Sequence, residues 1–495
     1  MDFLNPTKKR AHTIQLIIGY ILIAIAIGLV TLILVFQSYG YDLDRKTGSI
    51  IQNGLLFIAA QPQPADVFLN GRQYESKSDA RLVLPSDVYK IQLQREGYRT
   101  WTHTISLAGG SIARYIYPFL FPNTLTAKEQ KAYSAVPSLA TQSPDHHWLI
   151  IQEPGQLSVF DQFDAGDSQK AMTTITLPTD LLTASGNHQL TVVEWSTDNR
   201  HLLVRHDYAE GREFVVIDRE TPASSYNVNK VFKATPSEAA FLDKHFDQLY
   251  LYDQAAHKLD NADQRDGSIK PVLGNVLGFK LHGSDMMLYA TSDQATAGKA
   301  RIMIKDNSGS YFLREVPTDQ LYLLDLAQYS SHWYVAVGAS ADGRVYVYKD
   351  PLDVIKKPAT PTTVAVPETV LRADNPGWID FSANGQLLAI QGGSQFSVYD
   401  AETQHTYRYD LKLPIDGASP HTHWMDGSRL VLNSDSKVVV VDYDGTNQQT
   451  LVANQPGLEP FFDKQYHLLY TIAPSAATPG GYALERYNLV VGQNN

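Results

Sequence analysis

Two histidines one residue apart, His421-Thr-His423, would point to one face of a strand, and paired imidazoles on one face can share a metal ion. A strand or loop start beside Trp424 explains the same residues. His146-His147 are adjacent, so a strand would send them to opposite faces and they make a poorer ligand pair. Asp442-Tyr-Asp-Gly445 sets two carboxylates around a turn where calcium could sit, yet Asp-Gly at a strand end is also a plain turn. Asp42-Leu-Asp44-Arg-Lys-Thr-Gly48 has the opening acids of a calcium loop but not its later oxygen ligands or glycine, and reads as a solvated juxtamembrane linker.

Other chemistry is missing altogether. No Gly-x-Ser-x-Gly, His-Glu-x-x-His, P-loop or dinucleotide fingerprint occurs. The chain has no cysteine, which excludes disulfides, thiolate metal sites and a cysteine nucleophile. The sequence therefore assigns no catalytic, cofactor-binding or metal-ligating residue, and it calls for no cofactor. Its formal net charge is −11, and the first 36 residues are basic, with Lys8, Lys9 and Arg10 against Asp2. So acidic a remainder repels phosphate backbones, and nucleic acid is not an expected partner.

The elements that would position such residues begin with an apolar segment. Residues 1–12 are polar and basic, and from Thr13 to Phe36 no charged residue occurs. Residues 14–36 as a helix reach roughly 35 Å, enough to cross a bilayer with some tilt. A cleaved signal sequence would have a shorter apolar run ending in small residues; here Val35, Phe36 and Tyr39 are bulky. The basic excess precedes the span, so residues 1–12 are expected in the cytoplasm and everything after a linker at 37–49 outside it.

Residues 50–120 read as a small β domain, with strands near 55–59, 65–69, 80–84, 88–94 and 100–107. Asn70-Gly71 and Glu96-Gly97 are its turns. The proline-rich entry Gln61-Pro-Gln-Pro64, the strand Ala65-Asp-Val-Phe-Leu-Asn-Gly71, the Pro85…Tyr89 strand and the Gly97-Tyr98 turn resemble the PEGA domain. Pro85-Ser-Asp-Val-Tyr89 departs from the family, which usually has a glycine after the proline. The resemblance implies a β-sandwich-like module on a microbial surface protein and a role other than catalysis.

Residues 121–134 read as a linker, with helical composition at Leu125-Thr-Ala-Lys-Glu-Gln-Lys-Ala-Tyr133. From 135 to 495 a pattern repeats: tight turn, apolar strand, glycine turn, and a strand closing on an acid. Ser382-Ala-Asn-Gly-Gln-Leu387 through Val398-Tyr-Asp400 is the clearest copy. Anchored on the residue opening each second strand, the copies begin at Leu149, Leu202, Leu249, Met287, Tyr334, Leu387, Leu430 and Leu468, a spacing averaging about 46 residues. Four short strands at that period make a β-propeller blade. Val364-Ala-Val-Pro and Tyr407-Arg-Tyr-Asp-Leu411 are expected among the fourth strands. Eight blades are favoured; seven remain if the irregular copy at 241–272 or the short last copy is incomplete.

The turns Ser143-Pro-Asp145 and Trp195-Ser-Thr-Asp198 resemble those of TolB-like and dipeptidyl-peptidase-type propellers rather than WD-repeat ones. Trp378, just before a turn, is expected to wedge between blades. The 28 tyrosines and six tryptophans of the chain could line a glycan groove, but blade wedging explains most such residues. The expected whole is an all-β ectodomain, a PEGA-like sandwich plus a propeller, carried on one transmembrane helix. It fits a bacterial envelope protein that binds another envelope protein or a cell-wall glycan. The alternative is a glycan hydrolase or lyase with its site at the mouth of the propeller channel.

Overall fold

The uncharged run after residue 12 lies in one helix, Pro6–Ser38. The most apolar part of its stretch Arg10–Ser38 is not buried, and near its end Phe36 meets the Tyr41 ring at 5.3 Å. Ile14, Leu22 and Ile27 are each more than half exposed. The helix is long and apolar enough to cross a membrane. A computed structural model describes residues 6–38, 40–43, 50–167, 170–184, 186–357, 364–416 and 422–492. They fall into two units, Met1–Asn123 and Thr124–Asn495.

In the first unit two four-stranded sheets form a sandwich. One joins Tyr41–Leu43, Ile50–Ile58 and Ala80–Pro85, with Ile112–Tyr115 added in parallel to Ile50–Ile58. The other runs in the order Arg72–Lys77, Asp66–Leu69, Asp87–Gln94, Trp101–Leu107. Alternation sets the inner faces. Ala80, Leu82 and Leu84 are buried while Arg81, Val83 and Pro85 are exposed. They meet Val67, Ile91, Leu93 and Ile105 from the opposite sheet in one core. Asn70 and Gly71 both take positive φ, 50° and 79°, as a two-residue hairpin turn requires. At Pro85-Ser-Asp-Val-Tyr89, Ser86 alone separates a strand of one sheet from a strand of the other. The five expected strands are present, and Arg72–Lys77 and Ile112–Tyr115 are additional.

The second unit is an eight-bladed propeller. Its blades span 140–176, 189–227, 238–273, 276–317, 322–372, 378–410, 423–453 and 461–488, the last completed by Ala127–Tyr133. All eight anchor residues lie on second strands, and the irregular copy at 241–272 is a full four-stranded blade. First strands of neighbouring blades approach one another around the ring axis. Shared apolar clusters hold successive blades together, such as Leu388, Ile390 and Phe381 of blade 6 with Tyr334, Ala336 and Val345 of blade 5.

Three expectations need correction. The linker at 37–49 contains a strand, Tyr41–Leu43, paired with Ile50–Gln52. The stretch at 125–133 is a strand rather than a helix or linker. Ala127–Tyr133 pairs with Tyr482–Asn488 and supplies the outermost strand of blade 8. Its Ala, Lys, Glu and Gln favour helix weakly, and an available sheet edge overrides them. In blade 5 the fourth strand is Thr369–Arg372, not Val364-Ala-Val-Pro, and the helix Pro351–Lys356 fills part of the excursion.

Candidate functional site

The acids that recur from blade to blade are spent on turns. Ser143 Oγ donates to Asp145 Oδ1 at 2.5 Å, which also accepts from the His147 amide at 3.1 Å, while Ser143 Oγ accepts from the Trp148 amide at 2.9 Å. Ser382 and Asn384 repeat this in blade 6, at 2.8 Å, with the Gln386 amide at 3.1 Å. Asp198 holds the same place in blade 2. Burial pushes its carboxyl up, but hydrogen bonds from Ser196, the Arg200 amide and His201 outweigh that and hold it at about 2. The acids closing third strands cap the next turn: Asp218 accepts from the Glu220 and Thr221 amides at 3.0 and 2.9 Å, and Asp400 from the Glu402 amide at 2.9 Å.

The singled-out histidines and acids are dispersed among such contacts. His146 Nδ1 meets the Phe462 carbonyl at 3.0 Å, and His147 Nε2 lies 3.3 Å from Asp164. Asp442 accepts from Asn447 at 2.9 Å, and Asp444 from the Thr446 amide at 3.0 Å, so that turn caps itself. His423 sits on the two-residue strand His423–Trp424, while His421 lies outside the described residues, as do residues 44–48 of the proposed calcium loop. Among the described residues no group of three His, Asp or Glu side chains could hold a metal ion. Tryptophans bridge blades. Trp195 Nε1 donates to Thr141 Oγ1 of blade 1 at 3.0 Å, Trp424 Nε1 to the Asp380 carbonyl at 3.2 Å, and Trp378 packs into the core between blades 6 and 7.

What the sequence did not single out is a charged wall on the first strands. Lys280 of blade 4 lies 3.0 Å from Asp325 of blade 5, whose other oxygen accepts from the Phe381 amide of blade 6 at 2.8 Å. Asp325 is 4% exposed. Burial alone would lower the Lys280 ammonium, but Asp325, Asp380 and Glu194 together raise it. Asp380 is pushed up to about 7, first by burial and then by the like charge of Asp325, against the pull of Lys280. In blade 2, Glu194 is paired with Lys244 and accepts from the Phe241 amide. A pocket of about 350 Å³ runs along blades 2 to 4 between Glu194, Phe241, Lys244 and Lys280. A carboxyl poised near neutrality beside a second carboxylate and an ammonium can accept, donate or hold a proton. These residues stand at matching or adjacent positions on the first strands of their blades, far apart in sequence, and the ring brings them together.

The PEGA domain family profile matches residues 53–117. No curated protein sequence matches the chain. Among solved structures, the Myceliophteria thermophila Cps50 (Swd1) β-propeller domain aligns at 10% identity and a TM-score of 0.36, covering 63% of this chain and 99% of that one. Porphyromonas gingivalis dipeptidyl peptidase 4 aligns at 11% identity and a TM-score of 0.44, covering 73% and 58%. Kluyveromyces lactis Hsv2 aligns at 10% identity and a TM-score of 0.35, covering 61% and 99%.

Proposed function

We propose that this β-propeller protein with a PEGA domain is a single-pass binding and scaffold protein of a bacterial cell envelope. Its helix would anchor it, with residues 1–12 in the cytoplasm and both β units outside, and its propeller would engage an envelope protein or a cell-wall glycan. One observation carries the reading. The recurrent acids and hydroxyls of the blades are consumed in holding their own turns, which leaves a rigid closed ring presenting variable loops. Support for the anchor and its orientation comes from the unburied apolar helix and from Lys8, Lys9 and Arg10 preceding it. Cross-linking in intact envelopes, followed by identification of the captured species, tests the role. Recovery of a reproducible protein or glycan partner supports it, and repeated recovery of none overturns it. Protease added to intact cells tests the topology, since full protection of the chain after residue 50 would place it inside.

A second reading is favoured by the channel wall. Asp325, Asp380 and Lys280 are the convergent groups that a glycan hydrolase or lyase would need, one carboxyl being held near neutrality as a proton donor. Turnover of cell-wall glycan that vanishes in both Asp325→Asn and Asp380→Asn would establish this reading. Absence of turnover with folding intact would leave these groups a structural role.

A further inference from the structure

On the face carrying the 2–3 hairpins, blades 1 and 2 frame a second pocket, of about 310 Å³. His188, in the connection entering blade 2, forms part of its wall and is exposed. Behind it lies a chain of groups out of reach of water. His188 Nδ1 is 2.8 Å from Nε2 of His206, whose side chain is fully buried, and His206 Nδ1 is 2.8 Å from Oε1 of Glu213. Glu213 also accepts from the Thr183 amide at 2.7 Å, the Thr183 hydroxyl at 2.8 Å and Asn227 Nδ2 at 2.8 Å. Burial opposes its charge, but His206, Thr183 and Asn227 overcome that and hold the carboxyl at about 2.

An ionised Glu213 can only accept, so the single proton of a neutral His206 sits on Nδ1 and its Nε2 accepts. The His188 proton is then on Nδ1, which leaves a lone pair at His188 Nε2, and among the described residues nothing hydrogen-bonds to it. The other polar group in the pocket wall is also an acceptor. Ser138 commits its hydroxyl proton to Gln152 Oε1 at 2.8 Å, and one of the two Gln152 Nε2 protons goes to the Gln156 carbonyl at 3.1 Å. Val136, Pro154 and Leu157 supply apolar surface, and among the described residues none lining the pocket carries a fixed charge.

Two acceptors at His188 Nε2 and Ser138 Oγ, an apolar wall and no fixed charge select a neutral ligand rich in hydroxyl donors that also has an apolar face. The volume is at the small end of ligand pockets, which start at roughly 300 Å³. We infer that the pocket between blades 1 and 2 is a saccharide subsite in which His188 Nε2 and Ser138 Oγ accept hydrogen bonds from sugar hydroxyls. This rests on the binding reading above and narrows it, for this pocket, to a glycan.

The test uses the full chain in detergent micelles. Methyl glycosides of glucose, galactose, mannose and N-acetylglucosamine are titrated to roughly 100 mM, a range that reaches weak single-sugar affinities. Saturation-transfer NMR reads binding, and the imidazole nitrogen shifts of His188 read the proton's place. The expected result is a bare Nε2 in the free protein, a shift of that nitrogen on binding one of the four, and binding weakened about tenfold in His188→Phe and a few-fold in Ser138→Ala. His188→Phe leaves the buried His206 Nε2 without its partner, so its fold is checked by circular dichroism, and Ser138→Ala, which keeps that chain of bonds, serves as the second variant. A proton on Nε2 in the free protein, no binding by any of the four, or binding indifferent to His188→Phe overturns the inference. If it fails while envelope cross-linking still captures a partner, the binding reading survives without this subsite.

Discussion

The sandwich and the propeller are both made of four-stranded sheets, and they bury them in different ways. In the sandwich each sheet hides one face, so Ala80–Pro85 alternates between buried and exposed, and a single core serves the whole unit. In the ring each blade is covered on both sides, and every residue of Leu387–Gly392 and of Arg429–Ser434 is buried. One-sided burial is complete once two sheets meet. Two-sided burial is complete only when the last blade meets the first, and here a strand from before blade 1 makes that closure. Tyr133, Leu149 and Ile151 pack there with Phe461, Tyr470 and Ile472, and Tyr470 Oη donates to the Ala165 carbonyl at 3.0 Å. The ring should therefore fail as a whole where the sandwich fails alone.

The sharpest way to break that contrast is to remove residues 127–133 from the full chain. Blade 8 would keep three strands and expose its third to water, and the seam would lose Tyr133. The expected outcome is loss of the propeller's cooperative transition in calorimetry, with the sandwich's amide protection unchanged in hydrogen exchange. A propeller transition at its original temperature would show that closure does not depend on this strand.

A single side chain probes the same seam. Lys131 Nζ, on the closing strand, lies 2.6 Å from Glu153 and 2.5 Å from Asp161 of blade 1, and Asp161 is 2% exposed. Lys131→Ala strands a buried carboxylate, which costs about 3 kcal/mol. Urea unfolding of the propeller should shift by that order, and an unchanged midpoint would show that Asp161 finds another partner.

The sandwich has its own close approach. A Cβ on Gly54 would lie 2.6 Å from Leu107 Cγ and 2.7 Å from the Ala108 carbonyl, a backbone atom that cannot swing away. Gly54→Ala is expected to cost about 2 kcal/mol of overpacking, and to speed exchange across Ile50–Ile58 and Trp101–Leu107 only. Faster exchange in the blades as well would mean that the two units unfold together.

Much of this architecture was legible in the sequence because two-sided burial leaves a strong local signature. Apolar residues stand side by side in each second strand, and in most copies the third strand closes on an acid. That pattern located every blade, including the irregular third. Ala127–Tyr133 was not legible, because its partner lies some 350 positions away in sequence at Tyr482–Asn488 and its composition carries no strand signal. The same limit hid the sites. Lys280, Asp325 and Asp380 are one residue each from three blades, and His188, His206 and Glu213 come from three separate segments of blade 2 and its entry. No short spacing links the first three, and although His206 and Glu213 face each other across one hairpin, His188 lies outside it. Asp442 and Asp444, which did look like a site, hold a turn of the kind every blade needs.

The smallest predicted effect concerns the channel wall and has a sign that can be checked. The Asp380 carboxyl is raised by burial and by Asp325, to about 7, so the folded protein keeps its proton where the unfolded chain has released it. For such a group stability falls as pH climbs from the ordinary aspartate range, about 4, to about 7, and is level above. Asp380→Asn removes that term while keeping the shape, so its melting temperature relative to the parent should rise across the same window and then plateau. Lys280, attracted to both carboxylates, trims the gain, which leaves an expected shift of a few degrees at most. Melting curves of both proteins across the window decide it. A difference that stays constant with pH would show Asp380 ionised throughout, paired with Lys280 as a fixed charge. The wall would then be a set of neutralised struts between blades 4, 5 and 6, and the proton donor that the enzymatic reading requires would be absent.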